Sequence, residues 1–346
     1  MSARKTEPEA AVRHPRETPD LFGHREAETA LLSAYRSGRI PHAWLIGGAQ
    51  GIGKATLAYR MARFVLTHRS PQAASVQRAE TLAVDPSDSV ARQITACAHG
   101  GLLVLERGLN DRGVLRTVIT VDETRETISF FGSTAAVDGW RVCIVDTVDE
   151  LNPNAANALL KILEEPPQQS LFLLVSHAPS RVLPTILSRC RKLPLRPLAV
   201  DDVVRAAAGA TEIASDDPAL AEAAAASEGS VGRALNLLGG DALKLQQRTA
   251  ALLATLPRVD PRELHALGDA LGTSDRVALA AFIDSIDRWI SEKLHVDDAN
   301  ANLPRLARLA EVWEKIVRAA RDTESYNLER KPLVFSVFSM LAEATR

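Results

Sequence analysis

A glycine-rich turn between an apolar run and a helix-forming segment constrains the fold of this chain most strongly. The run AWLIGG at 43–48 predicts a buried strand, and the pattern GxxxxGK extends from Gly48 to Lys54. Glycines let the backbone amides turn toward a phosphate, and the amino end of the next helix favours its negative charge. We therefore expect Gly48, Gly51 and Gly53 to shape a phosphate-binding loop, with Lys54 meeting the β and γ phosphates.

The residue after the lysine departs from the usual pattern. A serine or threonine normally follows the lysine and holds Mg²⁺ through its hydroxyl, but Ala55 stands here. Thr56 has a hydroxyl, yet one further position along a helix turns it by about 100°. The sequence therefore predicts that ATP or ADP binds weakly or not at all, and that Mg²⁺ binds only together with a nucleotide.

Several further apolar runs have the length of strands and alternate with helical patterns. Continuous apolar runs suit central strands of a parallel sheet that is covered on both faces. The alternation predicts an α/β fold with a parallel sheet, extending to about residue 195. The candidate strands after the loop are LLVLE at 102–106, TVITV at 117–121, RVCIVD at 141–146 and LFLLVS at 171–176.

An aspartate ends one of these runs. In phosphate-loop NTPases, an aspartate at this place helps to hold Mg²⁺, and Asp146 is the candidate. ATPases that hydrolyse well normally have a glutamate next, but Thr147 stands there and cannot act as a base at neutral pH. An alternative register would use Asp149 and Glu150, three residues or more beyond the strand end. Efficient hydrolysis in the chain's own site is not expected.

The segment NPNAANALLKILEEPP predicts a helix with defined ends. Asn152 can cap it, Pro153 suits the first helical position, and the proline pair at 166–167 stops it. Glu164 and Glu165 fall in its last turn, where the helix dipole disfavours acidic side chains. A local rule broken in this way indicates a role other than folding.

Composition excludes several classes of protein. The 41 basic and 43 acidic residues give a net charge of −2, and aromatic residues make up 4%, so neither a global basic field nor an aromatic platform for nucleic acid is expected. No apolar run approaches the roughly 18 residues that a membrane span needs. The three cysteines, Cys97, Cys143 and Cys190, have no CxxC spacing. We expect a cytoplasmic protein without zinc and without a membrane partner.

The chain changes character along its length, which predicts four segments. The first is charged and proline-rich, the second carries the strands, the third is alanine-rich and helical, and the last has longer amphipathic helices. The predicted boundaries are a flexible tail at 1–20, a sheet domain at 21–197, a helical lid at 198–242 and a helical collar at 243–346.

Five segments between Gly47 and Leu238 occur together in a characteristic order. They are GGAQGIGKAT, CIVDTVDELN, NAANALLKILEEPP, LFLLVSHAPSRVLPTILSRC and GSVGRALNLL. This set resembles the bacterial clamp-loader AAA+ subunits of DNA polymerase III, and among these most the delta-prime type. The resemblance implies an AAA+ P-loop parallel sheet domain, a small helical lid and an all-α collar.

The same resemblance implies roles for three polar residues. Arg189, in the tripeptide Ser-Arg-Cys, corresponds to a finger that reaches a neighbouring subunit's ATP; the alternative is an arginine in an intradomain salt bridge. Ser176 corresponds to the first sensor near the γ-phosphate, and Arg233 to the second sensor at the start of a lid helix. Of the four-cysteine zinc module that some family members carry, the chain keeps only Cys97 and His99.

The function that the resemblance implies is a fixed subunit of a five-subunit ring with the delta and tau/gamma subunits, which loads a sliding clamp onto primed DNA. The subunit would complete a neighbour's ATP site and be a poor ATPase itself. The collar would drive assembly through apolar residues, at 286–290 and 334–341, that a lone helical domain is not expected to bury fully. The alternatives are an active motor of the tau/gamma type and a standalone nucleotide-dependent regulator.

Overall fold

A five-stranded parallel sheet organises the first part of the chain in this computed structural model. The structure describes residues 12–108, 116, 118–132, 139–238, 241–272, 276–296, 303–326 and 328–345. The strands lie in the order β2-β3-β4-β1-β5, and all four neighbouring pairs are parallel. They are β1 (Ala43–Gly47), β2 (Leu102–Glu106), β3 (Arg141–Asp146), β4 (Ser170–Ser176) and β5 (Arg191–Pro194). The predicted α/β fold with a parallel sheet is therefore confirmed.

Helices cover both faces of this sheet. Side chains alternate along β1, so that Trp44 and Ile46 pack with residues of the first two helices, whereas Leu45 packs with Leu159 and Phe172 on the other face. The two apolar layers explain why the central strands read as continuous apolar runs. The helices from the N-terminus to residue 237, not all of which lie on the sheet, are α1 (Arg25–Arg36), α2 (Lys54–Thr67), α3 (Ala74–Arg78), α4 (Ser89–Thr95), α5 (Val121–Gly132), α6 (Pro153–Glu164), α7 (Pro184–Leu187), α8 (Val200–Ala210), α9 (Pro218–Ala226) and α10 (Val231–Leu237).

Helix α6 has the ends that its sequence predicts. The side chain of Asn152 accepts a hydrogen bond from the Ala155 amide at 2.8 Å, and Pro153 is the first helical residue.

The prediction of a strand at 117–121 is wrong for the residues of this stretch that the structure describes. Ile119 forms only an isolated bridge with Leu151, and α5 already begins at Val121. Tertiary packing has overridden the β-propensity of this valine- and threonine-rich stretch.

The N-terminal segment differs from the predicted flexible tail in its described part. Residues 13–19 lie along α2, where Arg63 donates to the carbonyl of Arg16 at 2.7 Å and Arg60 donates to that of Pro19. The two α2 arginines are each only 6% exposed and therefore need acceptors. The amide of Arg13 also donates to the carbonyl of Ala210 at 2.9 Å. The segment is held because its carbonyls satisfy buried guanidinium groups.

The chain divides into two compact units, Met1–Gly232 and Arg233–Arg346. The second unit has its own apolar core, which includes Ile286, Ile290 and Phe338. The expectation that apolar residues at 286–290 and 334–341 are not fully buried in this unit is therefore wrong for these members, which are at most 1% exposed. Its helices are α11 (Asp241–Ala254), α12 (Pro261–Gly272), α13 (Arg276–Val296), α14 (Leu303–Ser325) and α15 (Arg330–Ala344).

The predicted segment boundaries near 197 and 242 stay predictions. The last strand ends at Pro194, and every later element in the described residues is a helix. The limit between the two units falls after Gly232, inside α10 and ten residues before the predicted end of the lid. Within the described ranges, no helix combines the length and apolar content needed to cross a bilayer.

Candidate functional site

The glycine-rich turn joins β1 to α2 and has the backbone of a phosphate-binding loop. Gly48, Gly51 and Gly53 have φ angles of 147°, 75° and 99°, a region that side chains rarely adopt. A Cβ on Gly48 would lie 2.6 Å from the carbonyl oxygen of Leu195, so a larger residue would not fit there. Gly53 occupies the N-cap of α2, and Lys54 is its first residue. The loop therefore ends at a helix amino terminus, as an anion site requires.

Lys54 is directed into this loop. The side chain is 3% exposed, and Nζ donates to the carbonyl oxygens of Gly48 at 2.7 Å and of Ala49. Burial lowers the pKa of Lys54 to about 8, and the charges of Asp146 and Asp149 oppose that shift. In this arrangement the ammonium group binds the loop's own carbonyls, which are the acceptors nearest to it.

Three further residues hold the outside of the loop. The hydroxyl of Ser230 donates to the carbonyl of Gln50 at 2.9 Å, and the amide of Gly232 donates to that of Gly51 at 3.1 Å. His24 contacts the carbonyl of Ile52 through Nε2 at 2.6 Å, and burial lowers its pKa. Sequence reasoning missed His24, which has no motif around it. Ser230 lies in the segment GSVGR, where the sequence indicates a role only for Arg233.

The carboxyl ends of the neighbouring strands bring the other predicted residues to the same edge of the sheet. Asp146 ends β3, and Ser176 ends β4 opposite Gly47 of β1. Burial raises the pKa of Asp146, as does the charge of Glu106 across the strand pair, whereas Lys54 lowers it. Lys54, Asp146 and Ser176 therefore lie at the same edge of the sheet, and their roles toward a nucleotide stay predictions.

Asp149 orders the turn after β4 and was expected only in an alternative register. Its Oδ1 accepts from the hydroxyl of Ser176 at 2.7 Å, and its Oδ2 accepts from the amides of His177 and Ala178. Glu150 forms an ion pair with Arg107 at 2.9 Å. Both carboxylates thus have protein partners, and Ser176 is fully buried against Asp149. The first-sensor role of Ser176 stays a prediction.

The loop fits a phosphate better than it fits a hydrolytic magnesium centre. Ala55 and Thr56 are the second and third residues of α2, and Ala55 offers no hydroxyl beside Lys54. Thr147, which follows Asp146, is 3% exposed and carries no carboxylate. Asp146 supplies the carboxylate that usually holds the metal. Thr147 stands where a second carboxylate usually polarises the attacking water. That this site binds nucleotide weakly and hydrolyses it poorly stays a prediction.

Arg189 follows the short helix α7 and precedes β5. Its Nη2 donates to Oε1 of Glu164 at 2.7 Å, and its Nη1 donates to the carbonyl of Thr185 at 2.9 Å and to the hydroxyl of Ser188 at 3.3 Å. The side chain is 33% exposed. The intradomain salt bridge that the sequence left open as an alternative is therefore present, and its partner is Glu164.

Arg189 lies at the edge of the sheet formed by the amino ends of the strands, and the phosphate loop lies at the opposite edge, formed by their carboxyl ends. Arg191 pairs with Trp44 near the start of β1, whereas the loop follows Gly47, which pairs with Pro194. The three steps from Arg191 to Pro194 span roughly 10 Å of strand. Glu164 is at the amino edge as well, because His42, just before β1, contacts the carbonyl of Leu163 at 3.1 Å. Arg189 is thus placed away from its own chain's loop.

Arg233 belongs to the second unit. Its Nε lies 2.8 Å from Oδ2 of Asp284, and its Nη2 donates to Oδ1 of the same carboxylate at 2.9 Å. This two-point geometry is the strong form of an arginine–carboxylate pair. The second-sensor role stays a prediction, with Asp284 as the present partner of the guanidinium.

The three cysteines differ in their exposure. Cys97 is exposed, Cys143 is buried in β3 and Cys190 is half-buried. Burial raises the pKa of Cys190 to about 12, which disfavours the thiolate that a nucleophile or metal ligand needs. In the part of the chain that the structure describes, no three His, Cys, Asp or Glu side chains are grouped as a metal site.

A family model described as DNA polymerase III, delta subunit, matches residues 23–199, just over half of the chain. The chain belongs to this family. The matched region contains the phosphate loop, Asp146, Ser176, Glu164 and Arg189, so the family assignment covers all of the predicted site residues except Arg233.

Relatives of this family member include several polymerase subunits. DNA polymerase III subunit delta' of Pseudomonas aeruginosa is 37% identical over 149 residues, which are 43% of this chain and 41% of that protein. Subunit gamma of Buchnera aphidicola is 30% identical over 63% of this chain and 57% of that protein. Subunit tau of Escherichia coli is 29% identical over 70% of this chain and 36% of that protein. The chain thus spans between 36% and 57% of the length of these three relatives.

Two solved structures from Thermotoga maritima are similar over most of the chain. A DNA polymerase III gamma subunit-related protein has a TM-score of 0.45 at 18% identity, covering 91% of this chain and 99% of that one. A RuvB variant has a TM-score of 0.43 at 17% identity, and the alignment covers 93% of this chain and 91% of that one.

Proposed function

We propose that this family member is the delta-prime subunit of a DNA polymerase III clamp loader. It joins delta and tau/gamma subunits in a five-membered ring that loads a sliding clamp onto primed DNA in the cytoplasm. Its contribution is Arg189, which stabilises charge at the ATP of a neighbouring subunit, while its own loop binds nucleotide weakly or not at all. Family membership and the 37% identity to a delta' subunit support the proposal.

One observation supports the trans-acting role most directly, namely the position of Arg189 at the sheet edge opposite its own phosphate loop. An arginine finger supplies a permanent charge and paired donors to the oxygens of a transferring phosphoryl group. From the amino edge of β5, Arg189 can offer these donors only to an acceptor outside its own nucleotide site. A partly exposed side chain at a domain surface suits an acceptor on another subunit.

The chemistry of the chain's own site separates this proposal from the motor alternative. We expect the isolated chain to hydrolyse ATP far below the usual enzyme median of about 10 s⁻¹, because Ala55 and Thr147 replace the magnesium hydroxyl and the water-polarising carboxylate. Steady-state phosphate release from the purified chain measures this. Lys54→Ala should leave the residual rate unchanged. Turnover near 10 s⁻¹ that Lys54→Ala abolishes would instead favour the tau/gamma type of motor.

A regulator that works without a ring is the other alternative, and assembly tests it. The second unit has an independent core, and Tyr326 and Leu328 on its surface are 74% and 53% exposed. We expect a chain that ends near residue 242 to lose its entry into the complex with delta and tau/gamma subunits, as measured by co-elution and mass. Undiminished affinity of this shortened chain would contradict a collar role for residues 243–346.

A further inference from the structure

Glu164 stands where helix energetics disfavour it. It is the last residue of α6, and the carbonyls that end a helix carry a partial negative charge that repels a carboxylate. Its side chain is half exposed and contacts one cationic group, the guanidinium of Arg189. The two residues are 25 positions apart, so their contact is made by the fold rather than by local sequence. Pairing with Arg189, and not helix stability, therefore explains why an acidic residue occupies position 164.

Glu164 and Arg189 are joined at one point only, so the guanidinium keeps donors for another acceptor. Oε1 of Glu164 meets Nη2 of Arg189 through a single hydrogen bond at 2.7 Å. With the bonds to Thr185 and Ser188, the guanidinium uses three of the five N–H donors that an arginine has. A one-point ion pair at a partly exposed position is weak and easily exchanged. A phosphate has more negative charge and can accept two parallel bonds from the same fork.

We propose that Glu164 is a positioning residue that keeps the Arg189 guanidinium on its own domain and competes for it with the phosphate held by a neighbouring subunit. This inference rests on the proposed function. The carboxylate gives the arginine a partner while no neighbouring triphosphate is present. When the neighbour's nucleotide is in place, the phosphate must displace the carboxylate, and the negative charge of Glu164 opposes its approach. Glu164 therefore raises the ATP concentration at which the finger engages.

The test uses the complete loader, reconstituted with its cognate delta and tau/gamma subunits, clamp and primed DNA. Glu164→Gln removes the competing charge and keeps a side chain of the same shape. We expect the apparent KM for ATP to fall about two- to five-fold, the range that a partly exposed ion pair gives, with kcat unchanged. Glu165→Gln is the matched control. Glu165 is equally near the helix end and exposed, but it has no ion pair in the described chain, and both constants should stay at wild-type values.

Variants of Arg189 distinguish the possible failures. If Arg189→Ala leaves the loader's ATPase unchanged, the trans-acting finger itself is wrong. If Arg189→Ala lowers the ATPase but Glu164→Gln leaves the KM unchanged or raises it, the finger stands and the competition is wrong. The double variant should show the KM of Arg189→Ala alone. A fall in KM in the double variant would mean that Glu164 acts without Arg189, which also overturns the inference.

Discussion

Arg189→Ala is expected to lower the DNA- and clamp-stimulated ATPase of the assembled loader while the subunit still folds and assembles. Arginine fingers in other NTPases contribute about 10³–10⁵ in rate at the site that they serve. The loss for the whole complex should be smaller where other sites keep their own fingers. Folding should be spared, because Arg189 is partly exposed and pairs at one point with Glu164. Single-site turnover and steady-state rates of the complex measure the effect.

Two further variants make this expectation specific. Arg189→Lys should rescue poorly, because a lysine is a point charge and cannot reproduce the two-donor fork of a guanidinium. Lys192→Ala removes one positive charge from an exposed position on β5, three residues away, and should leave the ATPase unchanged. If Arg189→Ala assembled normally and clamp loading were unaffected, Arg189 would be explained by its salt bridge with Glu164 alone.

The parts of the fold that the sequence predicts well have strong local patterns. The phosphate loop is a contiguous pattern, and the positive φ angles of Gly48, Gly51 and Gly53 explain why glycine stands at each of these positions. Continuous apolar runs identify the buried strands β1, β3 and β4, because both faces of these strands are covered. In such segments, local preference and tertiary environment favour the same structure.

The parts that the sequence does not predict depend on contacts between distant segments. The pairing of Glu164 with Arg189 requires the ends of α6 and α7 to meet at the amino edge of the sheet, which no local pattern encodes. His24 supports the loop only because α1 packs beside α2. Residues 13–19 have the composition of a flexible tail, yet their carbonyls satisfy Arg60 and Arg63. In each case a distant partner decides the outcome.

The buried pair of Glu28 on α1 and Arg60 on α2 should be the most sensitive polar contact of the first unit. Their side chains are 9% and 7% exposed. Oε1 of Glu28 accepts from Nη2 of Arg60 at 2.7 Å, from its Nε at 3.1 Å and from the amide of Leu82 at 3.0 Å. One carboxylate oxygen thus joins α1, α2 and the loop at Leu82, and removing it leaves a buried guanidinium and a buried amide without that acceptor.

Glu28→Ala is therefore expected to destabilise the first unit by about 3–5 kcal/mol, the cost of breaking a buried ion pair from one side. Glu26→Ala, an exposed position on the same helix, should stay within about 0.5 kcal/mol of wild type. Combining Glu28→Ala with Arg60→Met should recover much of the loss, because no unpaired charge then remains. Hydrogen exchange of α1 and α2 amides across a urea series measures this in the full chain, where two units make a single midpoint ambiguous. A loss below about 1 kcal/mol for Glu28→Ala would mean that water reaches Arg60 and that the pair does not hold α1 against α2.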